Sequence, residues 1–258
     1  MALHLFIPVV FPQFFQIGYD PNALSIDHLS LIGTIVQTLH FPESNHPLVQ
    51  SLFHHSDQEL LTLFQNYPDQ GKHFTAIFCR YGLIVHTLIR HSVKSPVQAD
   101  YLFAQTWRSI FYELRGLNLR EGSEGASHLT LQNWLINMTA LCINQTELPA
   151  VESIHYSLEK ASPPLWCYVQ QSLDQLPPQL RLVVLMAQTF RWSESRIAAY
   201  LQAEGEPISP AQVGSLLREG YQILEENLPE DIRTIYLESV SAVTQLKSEP
   251  HLVTTPDL

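Results

Sequence analysis

The chain has 258 residues, 45% of them apolar and 15% charged, with 25 acidic against 14 basic side chains and a formal net charge of −11. That composition excludes a disordered chain, and the length suits two ordinary domains or one large one. An acidic chain is repelled by nucleic-acid phosphate unless its bases gather on one face, so any such role requires a local basic patch.

Residues 1–16 (MALHLFIPVVFPQFFQ) are strongly apolar, but they hold no base and are interrupted by Pro8 and Pro12. They fit neither a signal peptide nor a membrane span. We expect an extended strip packed on the body or on a partner, within an N-terminal extension of residues 1–55. No Lys or Arg precedes Lys72.

The first well-signed helix starts at Ser56, where Ser56-Asp57-Gln58-Glu59 has the form of a capping box. Between Lys72 and His91, Phe74, Ile77, Phe78, Tyr81, Val85 and Leu88 recur at spacings of three and four, which predicts one buried helical face. Ser95-Pro96-Val97-Gln98 repeats the box with Pro at the first helical position. It opens a helix to Leu114 whose broader apolar face includes Tyr101, Leu102, Trp107, Ile110 and Phe111. Residues 116–130 read as a polar, glycine-rich loop, and Leu131–Ile143 as a third helix around Trp134.

Residues 146–164 carry proline near both ends and little periodicity, the composition of a linker. Beyond it, helices are expected at Leu165–Leu176, Pro178–Phe190, Ser193–Gln202 and Pro210–Leu228, the last opened by a third box, Ser209-Pro210-Ala211-Gln212. The expected fold is therefore all-α. It has two helical bundles, residues 56–145 and 165–230, joined by the linker, with a helix end and tail over 231–258.

Cys79, Cys142 and Cys167 are odd in number and far apart, which suits neither a disulfide framework nor a zinc site and points to a reducing, cytoplasmic setting. Twelve histidines could take up protons on acidification, although scattered histidines need have no such role. No phosphate loop, nucleophile elbow or HExxH motif is present. We expect no enzyme activity, no cofactor and no metal.

The order of these segments resembles small sigma factors of bacterial RNA polymerase, of the extracytoplasmic-function type. SDQELLTLFQNYPDQGKHFTAIFCRYGLIVHTLIR is similar to the opening helices of that family, with Arg80-Tyr81-Gly82 in place. VQADYLFAQTWRSIFYEL is similar to its polymerase-docking helix, and LQNWLINMTALCIN to the helix that reads the melted promoter, with Trp134-Leu135 as a matching pair. LDQLPPQLRLVVLMAQTFRWSESRIAAYL resembles the entry to its helix-turn-helix, followed by a recognition helix with Ile208-Ser209, Val213, Ser215 and Leu216.

The resemblance implies a two-domain fold, a region 2-like bundle and a region 4-like helix-turn-helix. It implies docking of the first on the clamp of the RNA polymerase core and reading of promoter DNA by the second. Docking falls to Leu102, Gln105, Trp107 and Arg108. DNA contact falls to Ser209, Gln212, Ser215 and Arg218, with Gly214 on the same face. An anti-sigma or other regulatory protein is a further expected partner; a membrane is not.

The sequence also departs from that pattern. Tyr101-Leu102-Phe103-Ala104-Gln105 replaces the usual Asp-Leu-x-Gln-Glu of the docking helix. Residues 121–159 contain no Lys or Arg and five Glu, where the family ends its promoter-reading helix in arginines. The connection QAEGEP between Leu201 and Ile208 is six residues long, where a helix-turn-helix usually has three to four. A second reading follows, of a sigma-like adaptor that binds protein partners and does not read DNA. A salt titration of DNA binding separates the two, and the most useful single observation is whether Lys72, Arg80, Arg90, Lys94, Arg108, Arg115 and Arg120 gather on one side of the first domain.

Overall fold

The structure, a computed structural model, describes residues 41–119, 130–159 and 161–238. Among these residues all regular structure is helical. Eight helices have ten residues or more: α1 (Asp57–Asn66), α2 (Gly71–Ser92), α3 (Pro96–Glu113), α4 (Leu131–Gln145), α5 (Pro163–Asp174), α6 (Pro178–Thr189), α7 (Glu194–Ala203) and α8 (Pro210–Asn227). Residues 1–40 and most of the loop 116–130 lie outside the described residues, as do Arg120 and residues 239–258 of the expected helix end and tail.

Side-chain caps set several of the starts. Ser56 Oγ accepts from the Glu59 amide at 3.3 Å, and the Ser56 amide donates to Glu59 Oε2 at 2.7 Å, a complete capping box. Ser95 Oγ accepts from the Gln98 amide at 3.4 Å, but Gln98 does not reciprocate. Its Nε2 donates instead to the Pro149 carbonyl at 2.9 Å, fixing the segment after α4 against the start of α3.

α2 is the axis of the molecule. Phe74 and Phe78 are fully buried and meet Phe111 and Trp107 edge-on, with ring centroids 4.9 and 5.0 Å apart. The three residues quoted as a family signature all have structural partners here. Arg80 Nη1 donates to Asp57 Oδ1 at 2.6 Å and Nη2 to the His55 carbonyl at 2.8 Å. The Tyr81 hydroxyl donates to the other Asp57 oxygen. Gly82 admits the Phe41 ring, which would lie 2.6 Å from a Cβ at that position. Residues 41–55 are thus part of the core and not an appendage, since Phe41, Val49 and Leu52 are all buried.

The expected division into two bundles on a tether is not how the core is distributed. One hydrophobic cluster runs from Phe41 through α1–α5 to Val184, Leu224, Leu228 and Ile232, and a second, smaller one lies among α6, α7 and α8. The proline-bounded segment after α4 is a packed strap, with Ile154, Tyr156 and Ala161 buried and the Tyr156 hydroxyl donating to the Ala161 carbonyl at 2.6 Å. α5, expected to begin a separate domain, packs on α2 and α3. Tyr168 meets Phe111 at 5.1 Å between centroids, and ten of the twelve α5 residues are buried.

The chain then returns to the start of α2. Residues Glu230–Arg233 form a helical turn and Thr234–Glu238 a π-helical one. Asp231 accepts from the Gly71 amide at 3.0 Å and the Lys72 amide at 2.9 Å, so a carboxylate 160 residues away caps the N-terminus of α2. Nearby, the buried Glu43 carboxylate accepts from Ser162 Oγ and from the Tyr236 hydroxyl, tying together the N-terminal turn, the strap and the π-turn.

Two outcomes test this joint. A Cβ on Gly71 would stand 2.2 Å from Ile232 Cγ1 and 2.9 Å from Tyr168 Cε2. Gly71→Ala should therefore lower the unfolding free energy by about 1–3 kcal/mol, and Asp231→Ala by about 1 kcal/mol through the lost cap, both read from urea denaturation. Beside the cap, burial holds the His73 imidazole below the usual histidine range, helped by Lys72, and its Nδ1 has no hydrogen-bond partner. The unfolded chain then binds the proton more readily, so stability should fall as pH drops below about 6.5. His73→Leu should narrow the gap between urea midpoints at acidic and neutral pH.

Candidate nucleic-acid interface

Helices α6, α7 and α8 form a corner around Val183, Met186, Ile197, Ala198, Leu201, Ile208 and Val213. Each turn of the corner has a local cause. Ser193 Oγ accepts from the Arg196 amide at 3.3 Å and starts α7. α7 ends at Gly205, whose φ of +92° suits a residue without Cβ. The Gly205 amide donates to the Gln202 carbonyl at 3.1 Å and the Glu206 amide to the Leu201 carbonyl at 2.9 Å, a Schellman stop.

Gln202 Nε2 then donates to the Ile208 carbonyl at 2.7 Å and draws the long connection closed. The Ser209 amide donates to Gln212 Oε1 at 2.8 Å, and Ser209 Oγ accepts from the Gln212 amide at 3.4 Å, a full capping box that starts α8. The six-residue connection is thus a stop signal followed by a start signal. It lines an open depression of about 440 Å³ with Gln202, Gly205, Pro207, Ile208, Ser209 and Gln212.

The residues assigned to DNA contact, Ser209, Gln212, Ser215 and Arg218, are all exposed and follow one another from the N-cap of α8 through its first two turns. They are also bonded to one another. Gln212 Oε1 is held by Ser209, Ser215 Oγ donates to the Ala211 carbonyl at 3.1 Å, and Arg218 Nη2 donates to Ser215 Oγ at 3.0 Å.

Gly214 does not share this face. It is buried, and the Glu194 carboxylate would stand 2.8 Å from a Cβ there. Leu217 is half-buried against the core. Neither position offers a side chain to the exposed face.

The four docking residues fare differently. Leu102 and Trp107 are 1% and 0% exposed, so neither can touch a partner in this fold. The Trp107 ring, assigned to docking by the resemblance, is turned instead to α2, where it meets Phe74 and Phe78 edge-on at 5.9 and 5.0 Å between centroids. Gln105 is half-buried, with no hydrogen-bond partner for Nε2. Arg108 is half-buried, its guanidinium 5.9 Å above the Trp166 ring.

Several bases of the first block are engaged within the protein and so do not stand free as a basic patch. Arg80 is held by Asp57, and Arg115 lies 4.7 Å over Phe111 and donates to Gln171 at 2.9 Å. Arg90 and Lys94 are exposed, and Trp134 is half-buried on the core cluster.

Burial pushes the Cys79 and Cys167 thiols far above the usual range, so neither is poised as a thiolate. Among the described residues no group of three or more His, Cys, Asp or Glu could hold a metal ion, and no helix is long and apolar enough to cross a membrane. Comparison with protein families, with curated proteins and with solved structures finds no match.

Sequence reading missed the aromatic group at the α6–α7 turn, Phe190, Trp192 and Tyr200 with Arg196. The FRW triplet beside a helix start was its available signal.

Two glycines of α8 give a test of the corner. A Cβ on Gly220 would stand 2.8 Å from Val184 Cγ2, a stiff β-branched neighbour, whereas one on Gly214 meets the end of a flexible glutamate. Gly220→Ala should cost about 1–3 kcal/mol of stability. Gly214→Ala should be near neutral, because the helix gain of about 1 kcal/mol offsets moving Glu194. Thermal melts of the two variants decide the contrast.

Proposed function

We propose that this chain is a sigma-like protein of transcription initiation, which docks on the RNA polymerase core and directs or modulates promoter recognition through α8. The observation that carries the reading is the corner of α6, α7 and α8, with Ser209, Gln212, Ser215 and Arg218 exposed in sequence along one helix. A helix offered in this way can enter a major groove, where Arg218 is suited to guanine and Gln212 to adenine. Both roles are binding roles and require no covalent chemistry. The first block supplies the docking surface, through the half-exposed Gln105 and Arg108 and not through Leu102 or Trp107.

A second reading has its own support. The α8 side chains are bonded to one another, and Arg80, Arg108 and Arg115 are engaged within the protein. This favours an adaptor that meets polymerase or a regulator through protein contacts and leaves DNA unread.

Salt separates the two. A promoter reader should bind duplex DNA with affinity that falls as salt rises, and Arg218→Ala should weaken it by about 1–3 kcal/mol and flatten the salt slope by about one. With core polymerase it should yield promoter-dependent transcripts. Silence across a genomic promoter library, together with salt-insensitive or absent DNA binding and retained polymerase binding, sinks the reader in favour of the adaptor. Loss of polymerase binding as well sinks both.

A further inference from the structure

The α6–α7 turn carries a surface that the DNA-reading role does not use. Phe190 and Tyr200 are 37% and 42% exposed, and Trp192 lies between them, with ring centroids 5.3 and 5.5 Å away. Arg196 covers one face of Trp192, its guanidinium carbon 4.6 Å from the ring centroid. Arg191, one residue before Trp192, is exposed. It is the one non-glycine residue with positive φ among the described residues, at +52°.

Three features set this group apart from ordinary surface. Its charge runs against the rest of the chain: residues 190–203 hold two arginines and one acid, Glu194, in a protein of net charge −11. That acid is turned to α8, where it lies over Gly214. The next acids, Glu204 and Glu206, belong to the turn beyond α7. Among the described residues neither Arg191 nor Arg196 is in an ion pair with any carboxylate.

The backbone at Arg191 is also costly for a residue with a Cβ, and glycine would relieve it. Strain of this kind is kept where the side chain has work to do. Finally, an exposed Tyr and a half-buried Trp beside Arg is the composition of interface hot spots.

We propose that this surface binds an acidic protein segment that carries an apolar or aromatic side chain between carboxylates. The apolar side chain packs against the Phe190, Trp192 and Tyr200 rings while the carboxylates meet the Arg191 and Arg196 guanidiniums. Charge complementarity selects that occupant, because unpaired arginines in an acidic protein attract carboxylates and exclude basic partners. Single-stranded nucleic acid fits less well. Bases stack on open ring faces, whereas here the rings are tilted at 33° and 56° to one another and Arg196 occupies a face of Trp192. The proposal goes beyond the reading of DNA by α8 and does not depend on it.

Fluorescence anisotropy with the full chain tests it. Four labelled probes are used: a peptide of alternating Glu and Leu with one Trp, the same peptide with Lys for Glu, the same peptide with Ala for Leu and Trp, and an oligothymidine of equal length. The acidic-apolar peptide should bind at least about tenfold more tightly than the other three. Arg196→Ala and Arg191→Gly should each weaken it by about tenfold.

Arg191→Gly carries a second readout: its melting temperature should stay level or rise while binding falls, which a purely structural role would not produce. Equal binding of all peptides, preference for the oligothymidine, or binding unchanged in both variants overturns the proposal. Self-association of the chain that is abolished by Arg196→Ala also overturns it, because the occupant is then a second copy.

Discussion

Ten of the twelve residues of helix α5 are buried, from Leu165, Trp166, Tyr168, Val169 and Leu173 on its apolar side to Cys167 and Gln170 beyond it. A helix buried to that extent requires cover on nearly every face. α2 and α3 supply it on one side, while α8 and the C-terminal turn supply it on the other. Tyr168 shows the joint in one side chain, since its ring meets Phe111 of α3 and also lies beside Gly71 and Ile232. The trans cap of α2 by Asp231 follows from the same arrangement. Once α5 holds the C-terminal turn against α2, the carboxylate falls within reach of two amides that α2 itself cannot satisfy.

Charge is distributed by the same logic. An acidic protein with few bases has those bases spent early: Arg80 on Asp57, Arg108 on Trp166, Arg115 on Phe111 and Gln171. What remains on α8 is one arginine, Arg218, followed at once by Glu219. One phosphate or base contact releases too few counterions to hold a domain on DNA alone. On this accounting any DNA reading depends on a second attachment, which polymerase docking supplies in the reading offered above.

Much of the local structure was legible in the sequence, because helix starts are local chemistry. Ser56 and Ser209 make full boxes with Glu59 and Gln212, and every long helix lies within a few residues of its periodic pattern. The exposed positions of Ser209, Gln212, Ser215 and Arg218 follow from the same periodicity.

The misreadings were all non-local. Gln98 has the right spacing for a box, but Pro149 competes for its side chain. The strap reads as linker because its buried Ile154, Tyr156 and Ala161 have no helical or strand period. Leu102 and Trp107 are apolar, and nothing in their own segment says whether a partner or the rest of the core, such as Phe74 and Phe78 of α2, covers them. Gly214 looks like a solvent position until Glu194 of the preceding helix is placed over it.

The shared core also limits how a sigma-like mechanism could run. Separating the α6–α8 corner from the body would uncover part of α5. The side chains that join the corner to the main core are Val184, Leu224 and Leu228. At about 1.5–3 kcal/mol for each buried side chain, exposing the three costs about 5 kcal/mol or more, which leaves the open arrangement near one molecule in several thousand. Loss of the Asp231 cap adds to the cost. Thermal motion does not keep such a state in use, so the corner and the body act as one piece unless a partner supplies a comparable binding energy to the open form. In the absence of such a partner, α8 and the half-exposed rim of α3 stand in a fixed relation, and whatever binds both must match that geometry.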